Sequence, residues 1–288
     1  MEIHDERPRI LAIIALDEEY DIFLQKFPTI RDECTDTQLR FEHDSGNTDI
    51  RLFSVLSTKM GAKSSAFSTE AAIKSFDPHA VVVVGIAGGI TDDVKLGDVC
   101  ISNEVIDVLH NNKFSDLEKD GDNQSIVRFS PDFHQVDAEY ISTFTFLKIH
   151  PSLRKIYGKW QEEATLNASL LEIPNNNTPY NMHIGPIVCG PVSSSKAFNE
   201  KLKGINRKFI ALETESGGVF SWCEQYKKPA IAIRGISDMA DAHKGTLESS
   251  SSGNYRALAM ENAISILKAQ MENSRFFDFL KKNFREPN

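Results

Sequence analysis

Residues 209–215 read Phe-Ile-Ala-Leu-Glu-Thr-Glu, an apolar run that leads directly into two carboxylates one residue apart. Side chains alternate along an extended chain, so we expect Glu213 and Glu215 on the same side. A second apolar run, residues 230–233, is followed by Arg-Gly-Ile-Ser-Asp, which places Asp238 just beyond its carboxyl end. In open α/β sheets, ligands bind at the carboxyl ends of the strands. These three carboxylates indicate hydroxyl recognition combined with acid/base chemistry, as a sugar-containing substrate requires.

Short apolar runs alternate with helical patterns along the whole chain. Runs that are apolar throughout predict strands buried on both faces, here at residues 10–15, 50–55, 80–84, 99–102, 184–188, 209–212 and 230–233. Helices are predicted at residues 17–26, 63–76, 216–226 and 255–273. This alternation predicts one α/β domain with a largely parallel sheet and helices on both sides.

Two regions are set apart from the predicted domain, which covers residues 1–272. Residues 110–180 are interpreted as an insertion, with one helical piece at about 136–170. The insertion has loop-forming stretches rich in asparagine, glycine or proline at residues 111–113, 120–123 and 174–179. Residues 273–288 are interpreted as a tail, with a short amphipathic helix around residues 276–280 that docks on the body or on a partner subunit.

The composition excludes several classes of protein. The chain has 288 residues, 41% hydrophobic and 25% charged, which is ordinary for a soluble globular protein. Its apolar runs are too short to cross a bilayer and its start has no apolar signal core, so we expect a cytoplasmic protein that does not bind membranes. A net charge of −9 disfavours nucleic acid as a partner. The four cysteines are widely scattered, which argues against a zinc site and a disulfide framework.

Two further elements follow predicted strands and could belong to the same pocket. Residues 17–19, Asp-Glu-Glu, suit the first turn of a helix, with Asp17 as its N-cap. Residues 85–89, Gly-Ile-Ala-Gly-Gly, could form a structural turn or let backbone amides approach a ligand. Each element is ambiguous alone, but their repeated position after strands favours a shared pocket.

The motifs together resemble a known family. Residues 85–89, followed by Val-Lys-Leu-Gly-Asp-Val at 94–99, look like the signature of the nucleoside phosphorylase and methylthioadenosine/S-adenosylhomocysteine nucleosidase superfamily. Leu-Glu-Thr-Glu at 212–215 is similar to its Glu-Met-Glu motif, and residues 234–241 to its Arg-x-Ile-Ser-Asp-x-Ala-Asp segment. Ala-Leu-Asp-Glu-Glu at 15–19 resembles the start of the nucleosidases. The resemblance implies a three-layer α/β/α sandwich with a mixed, mostly parallel sheet.

The resemblance also implies a reaction, the hydrolysis of the N-glycosidic bond of an adenine nucleoside or nucleotide without a metal or organic cofactor. Asp238 would protonate or hydrogen-bond the purine N7, and Glu215 would bind the ribose hydroxyls. Glu19 would orient or deprotonate the attacking water, and Glu213 would assist at the water or the ribose. Arg234 is expected to hold a carboxylate in place and not to touch the substrate.

Other positions are expected to contact the substrate, and some depart from the family pattern. By the resemblance, the pocket includes Ile86, Ala87, Gly88, Thr214, Ser193 and Lys244. Ile86 stands where the family carries a hydroxyl residue, and Ser193 where the nucleosidases carry a stacking aromatic. The Gly-Ile-Ala-Gly-Gly version resembles effector domains of bacterial signalling and defence proteins, in which the substrates can be nucleotides such as AMP or ATP. Candidate cations for a 5′ phosphate are Lys59, Lys63, Lys196, His243 and Lys244.

Two alternatives stay open. Phosphorylases of this superfamily hold phosphate with two arginines, one in the first loop and one just before the glycine cluster. This chain has Asp-Glu-Glu at 17–19 in the first position and Val-Val at 83–84 in the second. Carboxylates repel phosphate, so hydrolysis is favoured over a phosphate-dependent purine nucleoside phosphorylase. The other alternative is a catalytically silent nucleoside-binding module, which Ile86 and Ser193 support. Family members are typically dimers or hexamers, so we expect a homo-oligomer.

Overall fold

The computed structural model describes residues 6–57, 59–109, 113–119, 125–174, 178–251 and 253–284. In this part of the chain the strands are β1 Arg9–Ile14, β2 Thr29–Asp32, β3 Arg40–His43, β4 Arg51–Leu56, β5 Ala80–Gly89, β6 Val99–Asp107, β7 Lys113–Lys119, β8 Ser125–Arg128, β9 Asp132–Gln135, β10 Met182–Cys189, β11 Ala211–Glu213 and β12 Ala230–Asp238. The helices are α1 Asp17–Lys26, α2 Ala62–Phe76, α3 Ala138–Ile149, α4 Arg154–Leu170, α5 Lys196–Lys203, α6 Ser216–Gln225, α7 Lys244–Ser250, α8 Asn254–Met271 and α9 Ser274–Phe284.

One mixed sheet organises the molecule, with strand order β11-β10-β6-β12-β5-β1-β4-β3-β2 and with β9 added on β6. Parallel pairings join β1 to β4 and β5, β5 to β12, and β10 to β6 and β11. The pairing of β12 with β6 is antiparallel, as is a second pairing that β11 makes with β5. The strands β5, β12, β6, β10 and β11 therefore close a ring, and this confirms the predicted α/β fold with a mixed sheet.

Two groups of helices cover the sheet. Helices α2 and α6 pack against each other and contact strands β1, β4 and β6. Helix α8 packs on β12 and β5 and is flanked by α1, α4 and α9. Strands β1 and β5 and helix α8 consist largely of buried apolar side chains, so the main core lies between the sheet and these helices.

Four of the predicted strands, β5, β6, β10 and β12, are longer than the sequence indicated, and two of these extensions reach the candidate site. Strand β5 continues through Gly89, so the glycine cluster, for which a structural turn was one of two interpretations, is the second half of a strand. Strand β12 likewise continues to Asp238, which is its last residue. A smaller correction concerns α1: Asp17 is the first helical residue, and the N-cap position belongs to Leu16.

The region at 110–180 contains more structure than one helix. Its predicted helical piece is two helices, α3 and α4, because Pro151 holds His150 in an extended conformation between them. Tyr140, Phe144 and Trp160 of these helices belong to the main hydrophobic core. Loop stretches were predicted at 111–113, 120–123 and 174–179; residues 111–112, 120–123 and 175–177 of them lie outside the described residues, and Lys113 begins β7.

The tail forms a helix that packs on the body. Phe276, Phe279 and Leu280 of α9 are buried, and the first two rings stack on Tyr140 of α3. Residues 285–288, the end of the predicted tail, lie outside the described residues. Within the described part of the chain, every helix is too short or too polar to span a membrane.

Candidate active site

A cavity of about 230 Å³ opens among the ends of β5, β11 and β12 and the first turn of α1. It brings together the residues that the sequence predicted as catalytic or substrate-binding, except Arg234. These are Glu19, Ile86, Ala87, Gly88, Ser193, Glu213, Thr214, Glu215, Asp238 and Lys244. Three segments that are far apart in sequence, at Glu19, at 213–215 and at Asp238, therefore place carboxylates around one space.

Glu213 is fixed at the start of α6. It is the last residue of β11, and its carboxylate accepts hydrogen bonds from the backbone N–H groups of Glu215 and Ser216, each at 3.0 Å. These amides are at the positive end of the helix dipole, which stabilises a negative charge there. Burial raises the pKa of Glu213, and the positive charge of Arg234 opposes part of that rise.

Glu215 reaches the cavity by a different route from the one we expected. Its backbone is in the right-handed helical region (φ −113°, ψ −36°) as the N-cap of α6, so the strand does not extend through it. The prediction that Glu213 and Glu215 alternate along one strand was therefore wrong. Both carboxylates nevertheless contact the same residue, Arg234. One Glu215 oxygen accepts from the Gly61 amide at 3.2 Å and from the hydroxyl of Thr214.

Arg234 lies behind the carboxylates and is only 1% exposed. Its Nη2 pairs with Glu213, lies 3.4 Å from Glu215 Oε2, and donates to Ser216 Oγ at 3.3 Å. The guanidinium occupies space that exists because residue 85 is glycine, since a Cβ there would overlap Nη1. Arg234 thus pairs with one oxygen of each glutamate from the protein side, and backbone and side-chain donors hold the other oxygens.

Glu19 has one oxygen that the protein does not satisfy. Oε1 accepts from the backbone N–H of Ile86 at 3.2 Å, whereas Oε2 is buried without a hydrogen-bond partner. Burial raises the pKa of Glu19 from 4.5 to about 7, and the charge of Glu215 adds to the rise while Arg234 opposes it. A carboxyl group with a pKa near neutrality is suited to proton transfer at physiological pH.

Asp238 is held firmly at the end of β12. Its Oδ1 accepts from the Ala240 amide at 2.8 Å, and its Oδ2 accepts from the Ser237 hydroxyl at 3.0 Å. Lys244 Nζ lies 3.2 Å from the same Oδ2. Ala240 takes a positive φ of 48°, so the chain turns back immediately after the carboxylate. Asp238 is thus rigidly oriented toward the cavity and carries an ion pair there.

The cavity has apolar walls that sequence reasoning missed. Met60 and Val192 line it although their side chains are 52% and 59% exposed, which places them at its mouth. No aromatic side chain of the described residues lines the cavity. Ile86 and Val192 offer apolar surface where a flat base could lie. No motif in the sequence marks Met60 or Val192.

The predicted phosphate-binding cations are mostly elsewhere. Lys59, Lys63, Lys196 and His243 are exposed and do not line the cavity. Lys244 does line it, and so does Arg256 at the start of α8, which the sequence analysis did not single out. Arg256 forms an ion pair with Glu18 of α1.

Among the described residues there is also no cluster of three or more histidine, cysteine, aspartate or glutamate side chains that could hold a metal ion. The carboxylates of the cavity are instead arranged around a guanidinium, an ammonium group and backbone amides.

Comparison with known proteins places these residues in a family. Residues 9–271 match the sequence model of the Phosphorylase superfamily. An ATP nucleosidase, Cap17 of Escherichia coli strain KTE188, is 28% identical over 179 residues, which cover 60% of this chain and 33% of that protein. A 5′-methylthioadenosine/S-adenosylhomocysteine nucleosidase of Staphylococcus haemolyticus is 25% identical over 230 residues, covering 79% of this chain and 85% of the other. The chain thus spans about a third of the length of the first of these relatives.

Solved structures share the fold at low sequence identity. The 5′-methylthioadenosine/S-adenosylhomocysteine nucleosidase of Helicobacter pylori superposes with a TM-score of 0.64 at 18% identity, covering 92% of this chain and 98% of the other. The futalosine hydrolase of the same species gives a TM-score of 0.64 at 17% identity, covering 92% and 97%.

Proposed function

This chain belongs to the phosphorylase superfamily, and from that premise we propose that it hydrolyses the N-glycosidic bond of an adenine nucleoside or nucleotide and releases the free base. The observation that carries the proposal is the position of Glu19, Glu215 and Asp238 around one cavity, with a buried oxygen of Glu19 that has no partner in the protein. Three carboxylates at separate points of one space can serve the nucleophile, the sugar and the leaving base.

Cleavage of an N-glycosidic bond leaves positive charge on the ribose and negative charge on the base. In this proposal Asp238 binds or protonates the purine N7, which makes the base a better leaving group. Its two fixed hydrogen bonds, from Ala240 and Ser237, orient the carboxyl group before the substrate binds. Preorganised groups of this kind cost no reorganisation during the reaction.

Glu19 holds the attacking water in this proposal. Oε2 can accept a hydrogen bond from a water molecule, which would satisfy an otherwise unpaired buried oxygen. With a pKa of about 7, Glu19 can take up the proton as the water attacks the anomeric carbon. The backbone N–H of Ile86 holds Glu19, so the missing side-chain hydroxyl at this position does not prevent the positioning of Glu19.

Glu215 binds the ribose 2′ and 3′ hydroxyls and stabilises the cationic sugar electrostatically. Arg234 keeps Glu215 and Glu213 in position from behind, which is the role we assign to it instead of substrate contact. Glu213 assists through this network, because its carboxylate orders the first turn of α6 from which Glu215 projects.

Water is favoured over phosphate as the nucleophile. Arg234 behind the cavity is already paired with two glutamates, Arg256 at the cavity is paired with Glu18, and residues 83 and 84 of β5 are valines. An anion next to Glu19 would meet a carboxylate instead of a guanidinium pair. Relatives named as ATP nucleosidase and as methylthioadenosine/S-adenosylhomocysteine nucleosidase support both hydrolysis and an adenine-containing substrate. A homo-oligomeric assembly, a cytoplasmic location and a role as a defence effector remain proposals from the sequence.

Free-base release from a panel of substrates tests this function. Adenosine, methylthioadenosine, S-adenosylhomocysteine, AMP, ATP, inosine and guanosine are incubated with the protein in buffers with and without phosphate, and the bases are separated by chromatography. We expect adenine release without phosphate. Release only with phosphate would make the protein a phosphorylase, and release from none of the compounds would favour a silent nucleoside-binding module.

A further inference from the structure

We propose that Lys244 selects substrates that carry a phosphate on the ribose 5′ carbon, by exchanging its ion pair with Asp238 for an ion pair with that phosphate. This inference rests on the proposed function and names its substrate class. Lys244 is the first residue of α7, and its Nζ lies 3.2 Å from Asp238 Oδ2. Its side chain is 23% exposed, whereas that of Asp238 is 3% exposed. The lysine therefore reaches into the cavity from its solvent side.

The ion pair lies where the leaving base must bind. Asp238 Oδ1 accepts from a backbone amide, that of Ala240, whereas the Lys244 side chain at Oδ2 can move away, so Oδ2 is the oxygen that can become available to a ligand. Oδ2 already accepts from Ser237 and contacts Lys244. A purine nitrogen that approaches Oδ2 must compete with the Lys244 ammonium. A substrate that draws this ammonium away is consequently favoured over one that cannot.

The shape of a nucleotide puts its phosphate within reach of Lys244. In the anti conformation, the N7–C8 edge of the purine and the C5′ atom lie on the same side of the molecule. A cation beside the carboxylate that binds N7 is therefore also near the 5′ substituent. Lysine is a point charge on a flexible four-carbon stem, so a small rotation of the side chain can transfer its ammonium from Asp238 to a phosphate oxygen.

The charge of the cavity makes such a cation necessary. Glu19, Glu213, Glu215 and Asp238 all line the cavity, and a phosphate that enters is repelled by those that are ionised. Of the described residues that line the cavity, Lys244 and Arg256 are the cationic ones, and Arg256 is paired with Glu18. Lys244 differs because its present partner, Asp238, is the group that must act on the base. Phosphate binding and the release of Asp238 are thus coupled through one side chain.

Kinetics on matched substrates test the inference. The values of kcat/KM for AMP, ATP and adenosine are measured for the unchanged protein and for Lys244→Met, Lys244→Arg and Lys63→Met. We expect the unchanged protein to prefer AMP over adenosine. Lys244→Met should lower the ratio of kcat/KM for AMP to that for adenosine by about 10- to 100-fold, the range for a lost charge-assisted hydrogen bond. Lys244→Arg should retain most of the preference.

Lys63→Met is the matched control, because Lys63 is exposed and lies outside the cavity. It should leave the ratio unchanged, and an unchanged melting temperature of Lys244→Met excludes a general structural effect. The inference is overturned if the unchanged protein prefers adenosine or if Lys244→Met lowers turnover of AMP and adenosine equally. A loss of preference in Lys63→Met equal to that in Lys244→Met would also overturn it.

Binding measurements separate this inference from the hydrolysis itself. In a Glu19→Gln background, calorimetry with AMP and adenosine should show tighter binding of AMP, and adding Lys244→Met should remove the difference. If base release is absent from every compound while AMP binding still depends on Lys244, hydrolysis is wrong and the phosphate site stands. If AMP binds no better than adenosine, the phosphate site is wrong even when adenine is released.

Discussion

Gly85 of β5 and Arg234 of β12 lie directly opposite each other in a parallel strand pair, and the guanidinium fills the space that a side chain at position 85 would occupy. The same missing side chain leaves room for Glu19, whose Oε2 would lie 3.2 Å from a Cβ at this position. One glycine in a buried strand therefore permits both the central cation of the site and the carboxylate beside it.

Gly85→Ala should destabilise the protein and reduce turnover. The added methyl group would overlap Arg234 Nη1, and overpacking of this kind typically costs about 1–3 kcal/mol. Thermal unfolding and base release are the measurements. Gly158→Ala is the matched control, because Gly158 is in helix α4 with no atom near a Cβ there, so it should be neutral or slightly stabilising. A Gly85→Ala variant as stable and active as the unchanged protein would refute the steric argument.

Arg234→Met should be strongly destabilising. The substitution leaves Glu213 and Glu215 buried without their cation, and breaking a buried ion pair from one side typically costs about 3–5 kcal/mol. Urea unfolding measures the change in the free energy of unfolding. The double variant Arg234→Met/Glu213→Gln removes one of the uncompensated charges and should recover part of the loss. Equal stability of the single and double variants would mean that the charge network is not what makes Arg234 necessary.

Glu19→Gln should change the pH dependence of stability. The pKa of Glu19 rises from 4.5 to about 7 in the folded protein, so between these pH values the unfolded chain loses a proton that the folded protein keeps. Stability is therefore lost as the pH rises through this window, by about 3 kcal/mol in total above pH 7. The variant lacks this penalty and should gain stability relative to the unchanged protein from pH 4 to pH 8.

Urea unfolding across this pH range measures the difference, with Asp21→Asn, an exposed carboxyl group on the same helix, as the control. The same pKa sets the activity profile, because a general base must be ionised. The value of kcat/KM should fall below about pH 7, and Glu19→Gln should lose about 10²- to 10⁴-fold in turnover. If the difference in stability between Glu19→Gln and the unchanged protein did not depend on pH, the raised pKa of Glu19 would be contradicted.

Asp238→Asn should abolish most adenine release while the fold stays intact. An amide cannot donate the proton that the departing adenine needs, and loss of a general acid typically costs about 10²- to 10⁴-fold. The loss should be much smaller for p-nitrophenyl riboside, whose leaving group needs no proton. Asp241→Asn is the control, because Asp241 bonds the backbone of His243 and does not line the cavity. Equal losses on both substrates would remove the leaving-group role from Asp238.

The sequence predicted the parts of the fold that depend on long apolar runs. Strands β1, β5 and β12 and helix α8 are buried almost throughout, and such burial leaves a clear apolar pattern. Strand β2 has exposed side chains along its length, so it leaves no such pattern and was missed. Of the two interpretations of the glycine cluster, the structural turn was wrong, because glycine is also common where a strand approaches its neighbours closely. In β5 it marks the close approach of neighbouring groups, Arg234 at Gly85 and Asp238 and Ala240 at Gly88.

The candidate site was predicted as a set of residues but not as a network. Short motifs show that carboxylates follow strands, and this was enough to bring Glu19, Glu215 and Asp238 together. The contacts that set their charge depend on the tertiary structure and have no local signal. Lys244 was considered only as a phosphate ligand, whereas the structure pairs it with Asp238. Met60 and Val192 carry no motif and were found only from the shape of the cavity.

The identity of the sugar product distinguishes hydrolysis from phosphorolysis. The protein is incubated with adenosine and with AMP in buffer that contains saturating phosphate, so that water and phosphate compete as nucleophiles, and the products are identified by mass spectrometry. We expect adenine with free ribose from adenosine and with ribose 5-phosphate from AMP, at rates that phosphate does not increase. A sugar phosphorylated at its anomeric carbon, or no product from either compound, would contradict hydrolysis.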